Sequence, residues 1–368
     1  MSKMPSSTVI LVIWFSCNIL LVLKISNTYS CVILKQSPLW PKTSLSCFVS
    51  CSQANNFFFF HSSNITIFLI VYVDDILVIR NDPSQVLAFP QYLHITFALH
   101  DLGCINYFLG IEVSYVNGAV HLNQQKYIQD VLTRSTMQDL KSISTHGTAG
   151  TNLSQFASDT FSKTSLCRSI VGPLQYVTII KQNISYAVNK ACLYMAHPII
   201  VHWMDLKWIL RYLKGTPSLG LIFQPSTSLD IQVYTDVDWA SCPDDRCSTI
   251  GYYIFLGSNL VSWSSTKQRT ISRRSSESEY CALVATVAEI TCIQFVFQEL
   301  CISILSPTLI WCDNQSATQL AANLVFHARS RHIKLISILS ETKFSNELSL
   351  FNIHHQQNRL PISSQNTF

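Results

Sequence analysis

Five carboxylates stand where their type and spacing allow metal-assisted chemistry: Asp74, Asp75, Asp236, Glu279 and Asp313. Asp74 and Asp75 close the run Tyr72-Val73-Asp74-Asp75, with apolar, β-branched sequence before it from Ile65 and after it to Ile79. Two adjacent carboxylates at a hairpin can hold hard divalent cations, which take oxygen ligands. A solvated acidic turn is the plain alternative. Asp236, Glu279 and Asp313 are far apart in the chain. Cleavage of a phosphodiester by paired ions needs acidic ligands that converge from separate elements. Each also has a simpler explanation. Asp236 can be a strand-end residue, Asp313-Asn314 can start a turn, and Glu279 is the fourth residue of a capping box, Ser276-x-x-Glu279.

Convergence depends on the elements that carry these residues. Ile231, Val233 and Thr235 alternate in a strand that ends near Asp236. Ile250–Phe255 and Asn259–Trp263 read as two more strands around a Gly257-Ser258 turn. Ser275–Leu300 is long enough for a helix, Thr308–Cys312 is a strand and Gln315–Ala322 a helix. The order β-β-β-α-β-α predicts a mixed sheet covered by helices. In that order the ends of strands and the start of a helix can meet at one site. Upstream, strand, acidic turn and strand surround Asp74-Asp75. Residues 85–97 read as a helix, Tyr107–Val113 and Ala119–Leu122 as strands around Asn117-Gly118, and Gln125–Arg134 as a short helix. Residues 141–165, rich in Ser, Thr and Gly, read as a linker or long loop. A helical stretch follows, and His202–Lys214 stops at Gly215. Pro217–Ser228 is a boundary, and residues 1–33 give no coherent pattern.

A length of 368 residues suggests two or three domains. Charged residues are 12%, against about 25% in ordinary soluble chains. That drift toward membrane composition directs attention to Val9–Leu23. This run is short of the ~20 apolar residues a spanning helix needs. No small-residue cleavage site follows it, although it can mimic a signal or anchor. The 13 cysteines include no C-x-x-C pair, and the closest spacings are Cys47/Cys51 and Cys242/Cys247. That argues for free thiols in a reducing compartment and against a zinc site. A net charge of +4 permits nucleic-acid binding without demanding it.

Ordered segments extend the motif. After Tyr72-Val73-Asp74-Asp75 come Asn81-Asp82-Pro83-Ser84, Asp101-Leu102-Gly103 and Tyr107-Phe108-Leu109-Gly110-Ile111-Glu112-Val113. Then come Gln125-Lys126-Tyr127-Ile128, Ser169-Ile170-Val171-Gly172, Ile184-Ser185-Tyr186-Ala187-Val188 and Arg211-Tyr212-Leu213-Lys214-Gly215-Thr216. In this order they resemble the copia-type Pol polyprotein of long-terminal-repeat retrotransposons, over roughly residues 34–333. Tyr234-Thr235-Asp236-Val237-Asp238-Trp239-Ala240, Ser275-Ser276-Glu277-Ser278-Glu279-Tyr280 and Trp311-Cys312-Asp313-Asn314 resemble its RNase H segment.

The resemblance implies an α+β or α/β chain: a partial reverse transcriptase palm and thumb-connection, then an RNase H-like mixed sheet with helices. The expected division is 1–33 unassigned, 34–140 partial palm, 141–228 linker and helical thumb or connection, 229–345 RNase H-like, and 346–368 a degenerate tail. It implies Asp74 as a metal ligand with Asp75 as acidic partner, and Asp236, Glu279 and Asp313 as catalytic metal ligands. It further implies Mg2+ at two-metal sites, RNA template and RNA–DNA hybrid as partners, and no membrane partner. The expected location is cytoplasmic, with virus-like-particle or nuclear association. Tyr107–Val113 would lie near the primer terminus.

Departures from the family are specific. His100 stands where a lysine usually precedes Asp-Leu-Gly, and Lys334 follows His332-Ile333 where a fourth acid is expected. A cation there opposes the charge logic of a metal site. Residues 1–73 contain no Asp or Glu, so the palm carboxylate that should precede Asp74 is missing and a polymerase-dead copy is expected. Codons exist that encode Gln357–Asn366 in one frame and Glu-Pro-Val-Ala-Asp-Ile-Phe-Thr-Lys, the family ending, two bases on. A frameshift near Gln356 is therefore expected. The alternatives to an enzyme are a non-catalytic nucleic-acid-binding relic, a pseudogene product or, least favoured, a membrane-anchored protein.

Overall fold

The computed structural model describes residues 104–147, 153–156, 158–226, 228–298, 304, 306–321 and 353–354 with side chains, together with Leu77 and the backbone of the other strands and helix ends named below. The chain divides into two compact units. One comprises Met1–Phe15, Leu21–Leu122 and Ile222–Thr227, and the other comprises Ser16–Leu20, Asn123–Leu221 and Ser228–Phe368.

In the first unit, β1 (Thr8–Phe15) pairs with β2 (Ile19–Ser26). Strands β3 (Ser30–Gln36), β4 (Phe57–Ser62), β5 (Ile65–Tyr72), β6 (Asp75–Arg80) and β7 (Leu99–Cys104) form an antiparallel sheet in the order β4-β5-β6-β3-β7. The hairpin predicted around Asp74-Asp75 is present, with Tyr72 opposite Asp75. Sequence reading left most of the first 33 residues without structure, yet strands occupy much of that stretch. Short apolar runs carry no readable period, so they escape a pattern search.

The predicted strand Tyr107–Val113 is instead a hairpin, β8 (Tyr107–Phe108) and β9 (Ile111–Val116). Leu109 and Gly110 turn it, with φ of 49° and 75°. Strand β10 (Ala119–Asn123) follows Asn117 and Gly118, whose φ values of 51° and 77° match the primed turn that suits twisted strands. β11 (Leu221–Phe223) joins this sheet beside β10. It lies inside the predicted boundary Pro217–Ser228, and three residues are too few to announce a strand. The helix read at 85–97, Lys334 and the segment from Gln356 lie outside the described residues.

The second unit opens with four helices: α1 (Gln125–Arg134), α2 (Thr164–Val177), α3 (Ser185–Cys192) and α4 (Ile200–Gly215). Leu174, Val177, Val188, Leu206, Ile209, Leu210 and Leu213 meet in one fully buried cluster. Each such side chain contributes roughly 1.5–3 kcal/mol by leaving water. Part of the predicted linker is fixed against α4. Arg211 Nε donates to Lys141 O at 2.7 Å, Lys214 Nζ to Leu140 O at 2.7 Å and Trp208 Nε1 to Thr145 O at 3.1 Å.

The same unit holds a five-stranded sheet, β14-β13-β12-β15-β16. Its strands are β12 (Ile231–Asp238), β13 (Thr249–Leu256), β14 (Asn259–Lys267), β15 (Thr308–Cys312) and β16 (Phe351–His355). β12, β13 and β14 are antiparallel neighbours, whereas β15 runs parallel to β12 and β16 parallel to β15. A parallel neighbour needs a crossover, which α5 (Ser275–Glu299) supplies; α6 (Gln315–Ala322) follows β15. Alternate residues of β12, β13 and β15 are buried, and α5 buries Ala282, Leu283, Val287, Ile290, Ile293 and Phe297. The strand Phe351–His355 falls in the segment expected as tail.

Candidate metal centre

The predicted β-β-β-α-β-α order is present, and its register brings strand ends together. Thr235 of β12 sits opposite Cys312 of β15 in parallel register. Asp236 and Asp313 each follow that pair by one residue. Adjacent strands lie about 4.8 Å apart, so the two carboxylates leave neighbouring strands side by side. Both residues are exposed.

Glu279 comes from α5 and is 5% exposed. The capping-box reading of this residue is replaced. The helix starts at Ser275, and Glu277 takes the capping role, its Oε2 accepting from Arg273 N at 3.0 Å. Glu279 is thereby left to face the sheet. The helix start is further fixed by buried Gln268, whose Nε2 donates to Ser278 O at 2.9 Å while its Oε1 accepts from Ser278 Oγ at 3.1 Å. Behind the site, Thr286 Oγ1 lies 3.5 Å from Thr235 Oγ1 and ties helix to strand.

Glu279, Cys312 and Asp313 place ligand atoms within 4.8 Å of one another. Burial raises the Glu279 carboxyl to about 8, and the negative charges of Asp313 and Asp236 push in the same direction. Asp236 is not part of that close group and acts on Glu279 through its charge. The Cys312 thiol, driven upward mainly by burial to about 12, points its Sγ at Glu279 Oε2 at 3.9 Å. A protonated thiol is a poor ligand for a hard cation, so the oxygen atoms are the donors. A buried carboxylate beside exposed ones is repelled by their charge, and a divalent cation relieves that repulsion. The donor set therefore fits a hard ion.

At the rim, Tyr186 of α3 donates from its hydroxyl to Asp238 Oδ2 at 3.1 Å. Asn189 Nδ2 donates to Ser265 O at 2.6 Å. Sequence reasoning assigned no role to Cys312, Tyr186 or Thr286. Tyr186 and Thr286 reach the strand that carries Asp236 from separate helices, and Cys312, although next to Asp313 in the chain, meets Glu279 only through the fold. Asp75 is the first residue of β6, with Lys35 and Tyr72 as strand partners. Asp74 lies outside the described residues, as does the side chain of Asp75.

Residues 28–148 match the family described as reverse transcriptase (RNA-dependent DNA polymerase). The chain is 38% identical over 288 residues to a retrovirus-related Pol polyprotein from transposon RE1 of Arabidopsis thaliana, covering 78% of this chain and 20% of that protein. It is 32% identical over 281 residues to the Pol polyprotein from transposon TNT 1-94 of Nicotiana tabacum, covering 74% and 21%. An uncharacterized mitochondrial protein of Arabidopsis thaliana is 41% identical over 224 residues, which are 61% of this chain and 93% of that protein. The chain spans about a fifth of the length of the Pol polyproteins it matches.

Proposed function

The chain belongs to the copia-type retrotransposon Pol polyprotein family, and on that premise we propose that residues 229–345 are an RNase H-like region whose Asp236, Glu279 and Asp313 hold magnesium and cleave the RNA strand of an RNA–DNA hybrid. One observation carries this reading: a buried glutamate from a crossover helix lies within 4.8 Å of Asp313, whose strand runs parallel to the one that carries Asp236. Three antiparallel strands followed by parallel additions support it. When bound, paired ions would activate the attacking water and neutralise the leaving oxygen. Asp236, Glu279 and Asp313 would hold the ions, Glu279 giving up its proton to do so, and the burial of Glu279 keeps water from its side of the site. RNA template and hybrid are the proposed partners, in the cytoplasm with virus-like-particle or nuclear association.

A second reading rests on Lys334. Its cation replaces the acid expected near the same site, which favours a relic that binds hybrid without cleaving it. Polymerisation is not assigned to these residues alone, because residues 1–73 contain no Asp or Glu to join Asp74 and Asp75 in a palm site. Incubating the full chain with a labelled hybrid and Mg2+ separates the readings. We expect weak RNA cleavage that Asp236→Asn reduces at least about 100-fold, in the range of losses at electrostatic catalytic groups. Binding with no cleavage at any Mg2+ concentration selects the relic.

A further inference from the structure

Beside the carboxylates, the turn after β14 and the turn after β12 form one surface. Trp239 is 48% exposed and stands three residues past Asp236, so its Cα is at most about 10 Å from that of Asp236 along the chain. Its indole N–H is already used, donating to Ser272 O at 3.3 Å. What the ring offers outward is therefore its apolar face and not a hydrogen bond. Ile271, next to Ser272, is 61% exposed.

The backbone here is held in place from several sides. Ala240 has a φ of 53°, a left-handed conformation that L side chains seldom adopt, and its N–H donates to Ser248 Oγ at 3.0 Å. Gln268 N donates to Ser248 O at 2.8 Å, Ser272 Oγ to Gln268 Oε1 at 3.3 Å, and Arg273 N to Glu277 Oε2 at 3.0 Å. A strained residue persists where its surroundings over-determine it. The result is a large ring kept in water on a fixed support.

The same turn carries Arg269, Arg273 and Arg274, all exposed, and none forms an ion pair among the described residues. Unpaired guanidinium groups beside an exposed aromatic face match the chemistry of a nucleic-acid strand, with phosphates for the cations and a base or sugar for the ring. A protein partner would more often bring acidic side chains to such a turn, but would not by itself explain the turn's place at the rim of a carboxylate centre. We infer that Trp239, with Ile271 beside it, is a stacking wall that seats a nucleic-acid strand against the carboxylate centre, and that Arg269, Arg273 and Arg274 hold the strand's phosphates. This rests on the hybrid-cleaving reading for its choice of RNA–DNA hybrid, and its test is one of binding alone.

The test uses the full chain in EDTA, where cleavage cannot intervene, with an RNA–DNA hybrid as probe. Trp239→Ala should weaken binding about tenfold, within the usual range for loss of one stacking aromatic. Trp239→Phe, which keeps a ring, should recover most of it. Hybrid should quench tryptophan fluorescence in the wild type and less in Trp239→Phe. Replacing all three arginines by alanine should lower the slope of log K against log salt by about 3, while Trp239→Ala leaves that slope unchanged. Loss of binding in Trp239→Ala without recovery in Trp239→Phe, equal binding by wild type and Trp239→Ala, unchanged quenching in Trp239→Phe, or no hybrid binding by the wild type would each overturn the proposal. If binding follows Trp239 but no chain cleaves RNA, the wall stands and the cleavage reading fails. If RNA is cleaved and binding ignores Trp239, the reverse holds.

Discussion

Glu279 carries the sharpest electrostatic consequence at the residue scale. Burial, aided by Asp313 and Asp236, raises its folded carboxyl to about 8 from 4.5. The folded metal-free chain then holds a proton that the unfolded chain releases. The stability this confers is complete below about 4.5 and is lost as pH rises through about 8. Glu279→Gln removes that loss. Urea unfolding in EDTA should show the variant more stable than wild type at pH 8, by on the order of 2–4 kcal/mol, and little different at pH 4.5. A wild-type protein whose stability does not fall between these pH values would contradict a buried, charge-crowded Glu279. Lys334 belongs to the same scale. If Lys334 stands in for a fourth acidic ligand, as its place in the sequence implies, Lys334→Asp should raise Mg2+-dependent hybrid cleavage several-fold, because a cation opposes metal binding. An unchanged rate would mean that Lys334 stands away from the site.

Among elements, the helices of the second unit depend on one apolar cluster. Leu174 of α2 is fully buried among side chains of α3 and α4. Leu174→Ala should cost about 2–5 kcal/mol, read as a lower urea midpoint. A cost below about 1 kcal/mol would show that the cluster repacks easily. Buried Lys181 donates to Thr216 O just past α4 and is lowered by burial to about 8. Here the unfolded chain binds more protons between pH 8 and 10.5, so this group adds stability as pH rises through that window.

Elements with a clear period or a marked turn were legible in the sequence. Gln125–Arg134, Thr308–Cys312 and Gln315–Ala322 coincide with their predicted bounds. Asn117-Gly118 announced its hairpin through residues suited to positive φ. The break at Leu109-Gly110 was hidden because leucine rarely takes φ of 49°. Strands β3 and β16 were hidden because their pairing is decided by distant partners. The order of elements around Asp236, Glu279 and Asp313 was legible, but the register that aligns Thr235 with Cys312 was not.

Taken as a whole molecule, the chain carries the Asp74-Asp75 pair upstream of the Asp236, Glu279 and Asp313 carboxylates and covers about a fifth of its Pol relatives. The 368-residue chain alone should not extend a primed RNA template with Mg2+, since residues 1–73 offer no acidic partner for Asp74-Asp75. Template-dependent extension that Asp75→Asn abolishes would contradict this. On the proposed function, Asp236, Glu279 and Asp313 form one metal centre. Mn2+ binding to the full chain, followed by electron paramagnetic resonance at pH 8, tests it most directly. Asp236→Asn, Glu279→Gln and Asp313→Asn should each weaken the bound signal at least about tenfold, because each removes an oxygen donor from a shared ion. Bound Mn2+ that is indifferent to any one of the three substitutions would contradict it.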